Sequence, residues 1–149
     1  MTITGRRSGH AIENSIAIAA PAQKVFDYVT DVQREPEWNP QLREPEKLTP
    51  GPVGAGTRYR VRFGRGVGIA IIENTGFDRP RSWSAVSTAR RLTVHFQGQV
   101  TPIPGGCQLA VHTELFPRGV LRVLSPLLPR VIRRSWEQDL RAIKTIIER

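Results

Sequence analysis

Residues 131–147 read VIRRSWEQDLRAIKTII and form the one long amphipathic segment of the sequence. Large apolar side chains recur there in steps of four, four, three and four residues, and charged side chains fill the opposite side. This spacing predicts an α-helix with one apolar face. Because proline lacks an amide hydrogen, Pro126 and Pro129 predict a short helical piece before Pro126 and a long one after it. The apolar positions are Ile132, Trp136, Leu140, Ile143 and Ile147.

The middle of the chain has the alternation of β-strands. Residues 57–63, TRYRVRF, place apolar and cationic side chains in turn, which predicts a strand with one buried face. Proline- and glycine-containing turns separate the remaining apolar runs, so we expect an antiparallel meander. A strand at 42–48 is predicted at an edge, because Pro45 cannot donate to a ladder. The other predicted strands span 10–19, 67–77, 81–87, 91–101 and 107–116.

Two short helices are predicted between the first strand and residue 42. The first opens at Ala20-Pro21, and the second runs from Val32 to about Trp38 with Asp31 as its N-cap. These elements predict one α+β domain over residues 1–149, with 1–9 disordered or extended. In this fold a curved antiparallel sheet of about seven strands wraps the C-terminal helix, the only long element available to cover its apolar face.

A strongly curved sheet would leave an apolar cavity between itself and the helix. We expect the cavity to bind a small hydrophobic molecule, although alternation alone does not exclude a closely packed interior. The cavity therefore follows only if the sheet and the helix stand apart. The predicted ligand-binding side chains are Trp38, Tyr59, Val61, Phe63, Ile71, Trp83, Val94, Phe96, Leu109, Val111, Leu128, Ile132 and Trp136.

Composition narrows the class of protein. The chain has 149 residues, of which 39% are hydrophobic, and this favours a globular domain over a disordered chain. Cys107 is its single cysteine, which excludes an intrachain disulfide and favours a reducing cytoplasm. Glu13 and Asn14 interrupt the only signal-like apolar stretch, and no run is long enough for a transmembrane helix.

Four segments together resemble a known family. They are residues 15–31 (SIAIAAPAQKVFDYVTD), 36–40 (PEWNP), 54–59 (GAGTRY) and 78–81 (DRPR). In this order they resemble the polyketide cyclase/dehydrase and lipid-transport branch of the START-like (SRPBCC) superfamily. The resemblance implies a helix-grip fold whose cavity takes lipids, polyketides or other apolar molecules. It implies neither a reaction nor a cofactor.

Glu73 and Tyr59 are the candidates for chemistry in the cavity. Glu73 and Asn74 interrupt the apolar strand 67–77, so one of them faces inward. An inward Glu73 would have a raised pKa and could act as a general acid or base in a cyclase or dehydratase. The alternative is that Glu73 faces solvent and pairs with an arginine on a neighbouring strand. Tyr59 is the other candidate, as a proton shuttle or as a group that orients a ligand.

The positive charge of the chain also has a functional interpretation. The formal net charge is +9, and Arg58, Arg60 and Arg62 form a stripe on one strand. The stripe is either a solvated strand face or a surface for anionic lipid, an acidic carrier protein or nucleic acid. A nucleic-acid or ribosome-associated role is the third hypothesis, after ligand binding and cyclase activity. The three histidines lack a metal-ligand spacing, so neither a metal nor another cofactor is predicted.

Overall fold

The fold is an antiparallel sheet wrapped around a C-terminal helix, as the computed structural model describes it for residues 10–149. The prediction for residues 1–9 lies outside the described residues. The seven strands follow one another in the order β1-β7-β6-β5-β4-β3-β2. They are β1 (His10–Ile18), β2 (Leu42–Lys47), β3 (Arg58–Phe63), β4 (Gly68–Asp78), β5 (Ser82–Ala89), β6 (Leu92–Ile103) and β7 (Gly106–Pro117).

Helices connect the strands where the sequence predicts them. α1 spans Ala22–Val29, and a first 3-10 helix spans Val32–Glu37. The Asp31 carboxylate caps that 3-10 helix by accepting a hydrogen bond from the Gln33 amide at 3.1 Å. A second 3-10 helix, Gly119–Arg122, precedes α2, Leu128–Ile147. The break at Pro126 separates these two as predicted.

α2 packs its apolar face into the concave side of the curved sheet. Leu140, Ile143 and Ile147 are buried in a core cluster shared with α1, β1, β6 and β7. Burying each such side chain stabilises the fold by roughly 1.5–3 kcal/mol. The architecture is therefore the predicted α+β helix-grip fold.

Strand alternation holds along β3 and β7. Tyr59 and Val61 are buried, whereas the three arginines that alternate with them are exposed. On β7 every second side chain from Cys107 to Leu115 is buried. The inward faces of these strands are those that period-two alternation predicts.

Strand β4 departs from the prediction. Tyr59 pairs with Ile72, so Ala70, Ile72 and Asn74 face inward and Ile71 lies on the outer face. The prediction that Ile71 lines the cavity is therefore wrong. The error arises because β4 has apolar side chains on both faces, so its sequence shows no alternation that would reveal which face is inward.

Candidate functional site

A cavity of about 300 Å³ lies between the concave face of the sheet and α2. The first 3-10 helix, the turn between β3 and β4 and the start of α2 contribute to its wall together with the sheet. Most of its walls are aliphatic and aromatic side chains, which favours an apolar guest. The sheet and the helix therefore stand far enough apart to leave a space.

Ten of the thirteen predicted ligand-binding residues are in the cavity wall. They come from the residue that ends the first 3-10 helix, from four strands and from α2. The wall includes Trp38, Phe63, Trp83, Val94, Phe96, Leu109, Val111, Leu128, Ile132 and Trp136.

Three predicted residues are outside the wall. Tyr59 and Val61 are fully buried, but they pack in a separate core cluster with Val32 and Leu42. Ile71 lies on the outer face of β4, as described above. An inward orientation therefore does not by itself place a side chain in the cavity wall, because the first 3-10 helix packs against part of the concave face.

Aromatic rings form a continuous row along the cavity. Consecutive rings stand 5.2 to 6.1 Å apart, close enough to pack directly. Four of these rings also line the cavity, so their contact with one another does not fill it. In order, the row contains Trp38, Trp136, Phe96, Trp83, Phe26 and Phe77.

Two carboxyl groups interrupt the apolar wall near Trp38 and Trp136. Glu35 belongs to the first 3-10 helix, and its Oε1 accepts a hydrogen bond from Asn39 Nδ2 at 2.9 Å. Asp139 lies one turn after Trp136 on α2 and is 94% buried, since its relative exposure is 6%. Among residues 10–149 its carboxylate receives no hydrogen bond. Both side chains line the cavity.

Burial sets the ionisation of this pair. Desolvation raises the pKa of Glu35 to about 7, and the negative charge of Asp139 adds to the effect. Desolvation likewise raises the pKa of Asp139 to about 7, although Arg65 opposes it. Near neutral pH the pair can therefore hold a proton and also accept one.

Sequence interpretation missed both carboxyl groups. Asp139 had a readable signal, because it is three residues after Trp136 and four before Ile143, on the apolar face of the helix. Glu35 had none, since acidic residues are common in short exposed helices. Only the closure of the first 3-10 helix over the sheet brings Glu35 into the cavity.

Several polar atoms near the cavity are buried without a partner in the described residues. Trp38 Nε1, Tyr59 Oη and Thr113 Oγ1 are among them, and Trp38 and Thr113 line the cavity. Burial raises the pKa of Tyr59 to about 12. An unpaired buried polar group costs free energy, so Trp38 Nε1 and Thr113 Oγ1 are available to a ligand that offers hydrogen bonds.

Glu73 is on the opposite side of the sheet from the cavity. Its side chain is half exposed and lies 3.9 Å from Arg58 Nε, while Asn74 faces inward. Asn74 Nδ2 donates to the Gly54 carbonyl at 3.3 Å. Glu73 therefore faces solvent beside an arginine of a neighbouring strand, which is the alternative to an inward Glu73 in the sequence analysis.

Each arginine of the central stripe faces an acid on a neighbouring strand. The N–O distances are 3.9 Å for Arg58–Glu73, 3.6 Å for Arg60–Glu46 and 3.4 Å for Arg62–Glu44. Local compensation leaves this face a poor attractor of distant anions. No comparison with known proteins supports an acidic carrier protein or a nucleic acid as its partner.

Histidine, cysteine and acidic side chains are scattered over residues 10–149. This part of the chain has no cluster of three His, Cys, Asp or Glu side chains able to hold a metal ion. His112 Nδ1 instead lies 3.1 Å from Glu13 on the outer face. None of the helices described here is long and apolar enough to cross a bilayer.

Comparison with known proteins gives the family. The sequence matches the family "Polyketide cyclase / dehydrase and lipid transport" over residues 9–148. No curated protein sequence matches the chain.

Solved structures share the fold at low identity. A START superfamily protein from Mycobacterium smegmatis is 16% identical with a TM-score of 0.79, covering 94% of this chain and 98% of that one. The Zhui aromatase/cyclase from Streptomyces sp. R1128 is 19% identical with a TM-score of 0.78, covering 95% of each chain. Norcoclaurine synthase from Thalictrum flavum, in complex with dopamine and hydroxybenzaldehyde, is 15% identical with a TM-score of 0.67, covering 99% of this chain and 95% of that one. The family match over residues 9–148 shows that the chain belongs to the polyketide cyclase/dehydrase and lipid transport family.

Proposed function

We propose that this protein binds a small, mainly apolar molecule in the cavity between the sheet and α2. The observation that carries the proposal is the cavity of about 300 Å³ with aromatic walls. Transfer of apolar ligand surface from water into such a space is favourable by roughly 25 cal/mol per Å². The polar part of the ligand would lie toward Glu35, Asp139 and the unpaired Trp38 Nε1.

Ligand binding is tested with N-phenyl-1-naphthylamine, a neutral apolar dye that fluoresces in apolar sites. Val94 lines the cavity, so Val94→Phe should fill part of it and weaken dye binding about tenfold or more. Val86 lies on the outer face of β5, opposite His95, and Val86→Phe is the matched control with unchanged affinity. Equal weakening by both variants would contradict the proposal.

A measurement on the natural ligand complements the dye. Native mass spectrometry of protein purified from its own host should show a retained small molecule that Val94→Phe releases. A protein that retains no molecule and also fails to bind the dye would not be a ligand-binding protein of this kind.

A second candidate function is proton-transfer chemistry on a bound apolar ketone. The placement of Glu35 and Asp139 in the same cavity wall favours it. One carboxylate would remove a proton from the carbon beside the carbonyl, and the protonated partner would donate its proton to the carbonyl oxygen. The product is the enol, and the pair ends with its proton exchanged between the two groups. No cofactor is required.

Deuterium exchange of the α-protons of 2-tetralone, followed by NMR, tests this candidate. We expect Glu35→Gln and Asp139→Asn each to lower the catalysed exchange about 100-fold, in line with general acid–base catalysis. Glu73→Gln removes an acid from the outer face and should leave exchange unchanged. If 2-tetralone binds but exchanges no faster than in buffer, the enzyme candidate is wrong and the binding function stands.

A further inference from the structure

Residues 118–134, called the portal segment below, expose an unusual amount of apolar surface. They include the second 3-10 helix and the first turns of α2. Of the eight large apolar side chains exposed in residues 10–149, five are in this segment, and Val123 is 77% exposed. Exposed apolar side chains concentrated in one segment in this way are typical of an interaction site. The five are Val120, Val123, Leu124, Leu127 and Val131.

The portal segment is also strongly cationic. No acidic residue occurs between Glu114 and Glu137, whereas five arginines do. All five are exposed, and within the described residues none forms a salt bridge. The Arg118 guanidinium is held by hydrogen bonds that it donates to Thr93 Oγ1 and to the Ala89 and Arg90 carbonyls, so the other four are the arginines free to contact a partner. This contrasts with the central stripe, where every arginine faces an acid. The five are Arg118, Arg122, Arg130, Arg133 and Arg134.

The portal segment is part of the wall of the cavity. Leu121, Leu128 and Ile132 line the cavity from inside, while Val123 and Leu127 are exposed to solvent. Val131 does both, because it lines the cavity and is also exposed. One layer of residues thus separates the cavity from whatever binds the outer surface.

We propose that the portal segment docks on an anionic lipid membrane. The exposed valines and leucines would insert among the acyl chains, and the surrounding guanidinium groups would contact lipid phosphates. The exposed apolar side chains suit the acyl-chain layer of a membrane, and the arginines beside them suit its phosphate layer. This inference goes beyond ligand binding and does not depend on it.

Two other partners fit the portal segment less well. A nucleic acid would satisfy the arginines, but its phosphate backbone offers nothing to five exposed apolar side chains. A second copy of the chain in a symmetric dimer would cover the apolar side chains, but it would bring the unpaired arginines of both copies together.

Vesicle co-sedimentation tests the inference, using phosphatidylcholine alone and phosphatidylcholine with 30 mol% phosphatidylglycerol. We expect binding to the anionic vesicles that weakens with added salt, and little binding to the neutral ones. Arg122→Gln, Arg130→Gln and Arg134→Gln together should weaken it about 100-fold, from roughly 1 kcal/mol per arginine. Val123→Ser with Leu127→Ser should weaken it about tenfold or more, through lost acyl-chain contacts.

Matched controls are available elsewhere on the protein. Changing Arg58, Arg60 and Arg62 to Gln removes the same formal charge from the paired stripe and should leave vesicle binding within about twofold. Ile69→Ser with Ile103→Ser removes exposed apolar side chains outside the portal segment and should also have little effect. Far-UV circular dichroism of each variant verifies folding.

Four results would overturn the inference. The first is no sedimentation with anionic vesicles. The second is an equal loss of vesicle binding in the Arg58, Arg60 and Arg62 variant, which would indicate net charge alone. The third is tight binding of duplex DNA that the portal arginine variant loses while vesicle binding persists. The fourth is a dimer in sedimentation velocity that Val123→Ser with Leu127→Ser dissolves, with no vesicle binding. In each case binding of N-phenyl-1-naphthylamine is measured separately, so the proposed ligand-binding function is judged independently of membrane docking.

Discussion

The indole ring of Trp83 lies flat over Gly98, its cross-strand partner on β6. A Cβ atom on Gly98 would collide with the six-membered part of that ring. The ring also contacts Phe96 and Phe26, with centroids 5.5 Å away in each case. The absence of a side chain at position 98 therefore allows the aromatic row to lie against the sheet and keeps the cavity beside it open.

Gly98→Ala should destabilise the protein by about 1–3 kcal/mol, because the Trp83 ring must move away from the sheet. Urea unfolding measures the loss, and near-UV circular dichroism reports the displaced indole. Gly54→Ala is the control, since a Cβ at position 54 meets no atom within 4 Å and should change stability by less than about 0.5 kcal/mol. Equal effects of the two substitutions would contradict the packing argument.

Thr113→Val should stabilise the ligand-free protein by about 1 kcal/mol. The Thr113 hydroxyl is buried without a partner, and valine has the same shape without the polar atom. Thermal unfolding monitored by circular dichroism gives the comparison. A clear loss of stability would mean that the hydroxyl already has a partner in the empty protein.

The stability of the empty protein should fall as pH rises from about 4.5 to 8. Glu35 and Asp139 have pKa values raised to about 7, so the folded state binds protons more tightly than the unfolded chain. Their stabilising contribution is complete below the unfolded pKa values and is lost as the pH rises through 7, by roughly 3–4 kcal/mol per carboxyl group. The groups facing them are Arg65, which opposes the shift at Asp139, and Asn39, which opposes it at Glu35.

Urea midpoints at pH 5 and pH 8 test this pH dependence. Asp139→Asn should reduce the difference between the two midpoints, because it removes one of the two titrating groups. The lowered pKa values of carboxyl groups such as Asp27 and Glu37 act in the opposite sense, in a lower pH range. An unchanged difference in the Asp139 variant would show that other groups cause the pH dependence.

Changing Arg58, Arg60 and Arg62 to Gln should lower the free energy of unfolding by less than about 1 kcal/mol for each ion pair lost. All three pairs are half exposed, with N–O distances of 3.4 to 3.9 Å. The difference from the unmodified protein should shrink further in high salt, as seen by thermal unfolding. A loss of several kcal/mol would mean that these arginines contribute to the fold in another way.

The helix-grip fold followed from the family resemblance, whereas periodicity alone determined the element order and the inward faces of β3, β6 and β7. These are local properties, because a period of two or of 3.6 residues follows from backbone geometry. Alternation on those strands placed Phe63, Phe96 and Val111 in the cavity wall. It failed for Ile71, since β4 is apolar on both faces and only pairing with β3 sets its register.

Tertiary structure decided that a cavity exists and that Glu35 and Asp139 both line it. These two residues are 104 positions apart, and nothing in their local sequence relates them. Their raised pKa values come from desolvation, which depends on how the first 3-10 helix, the sheet and α2 enclose the space. Enclosed volume and burial are properties of the whole packing arrangement, so a local pattern of side chains cannot specify them.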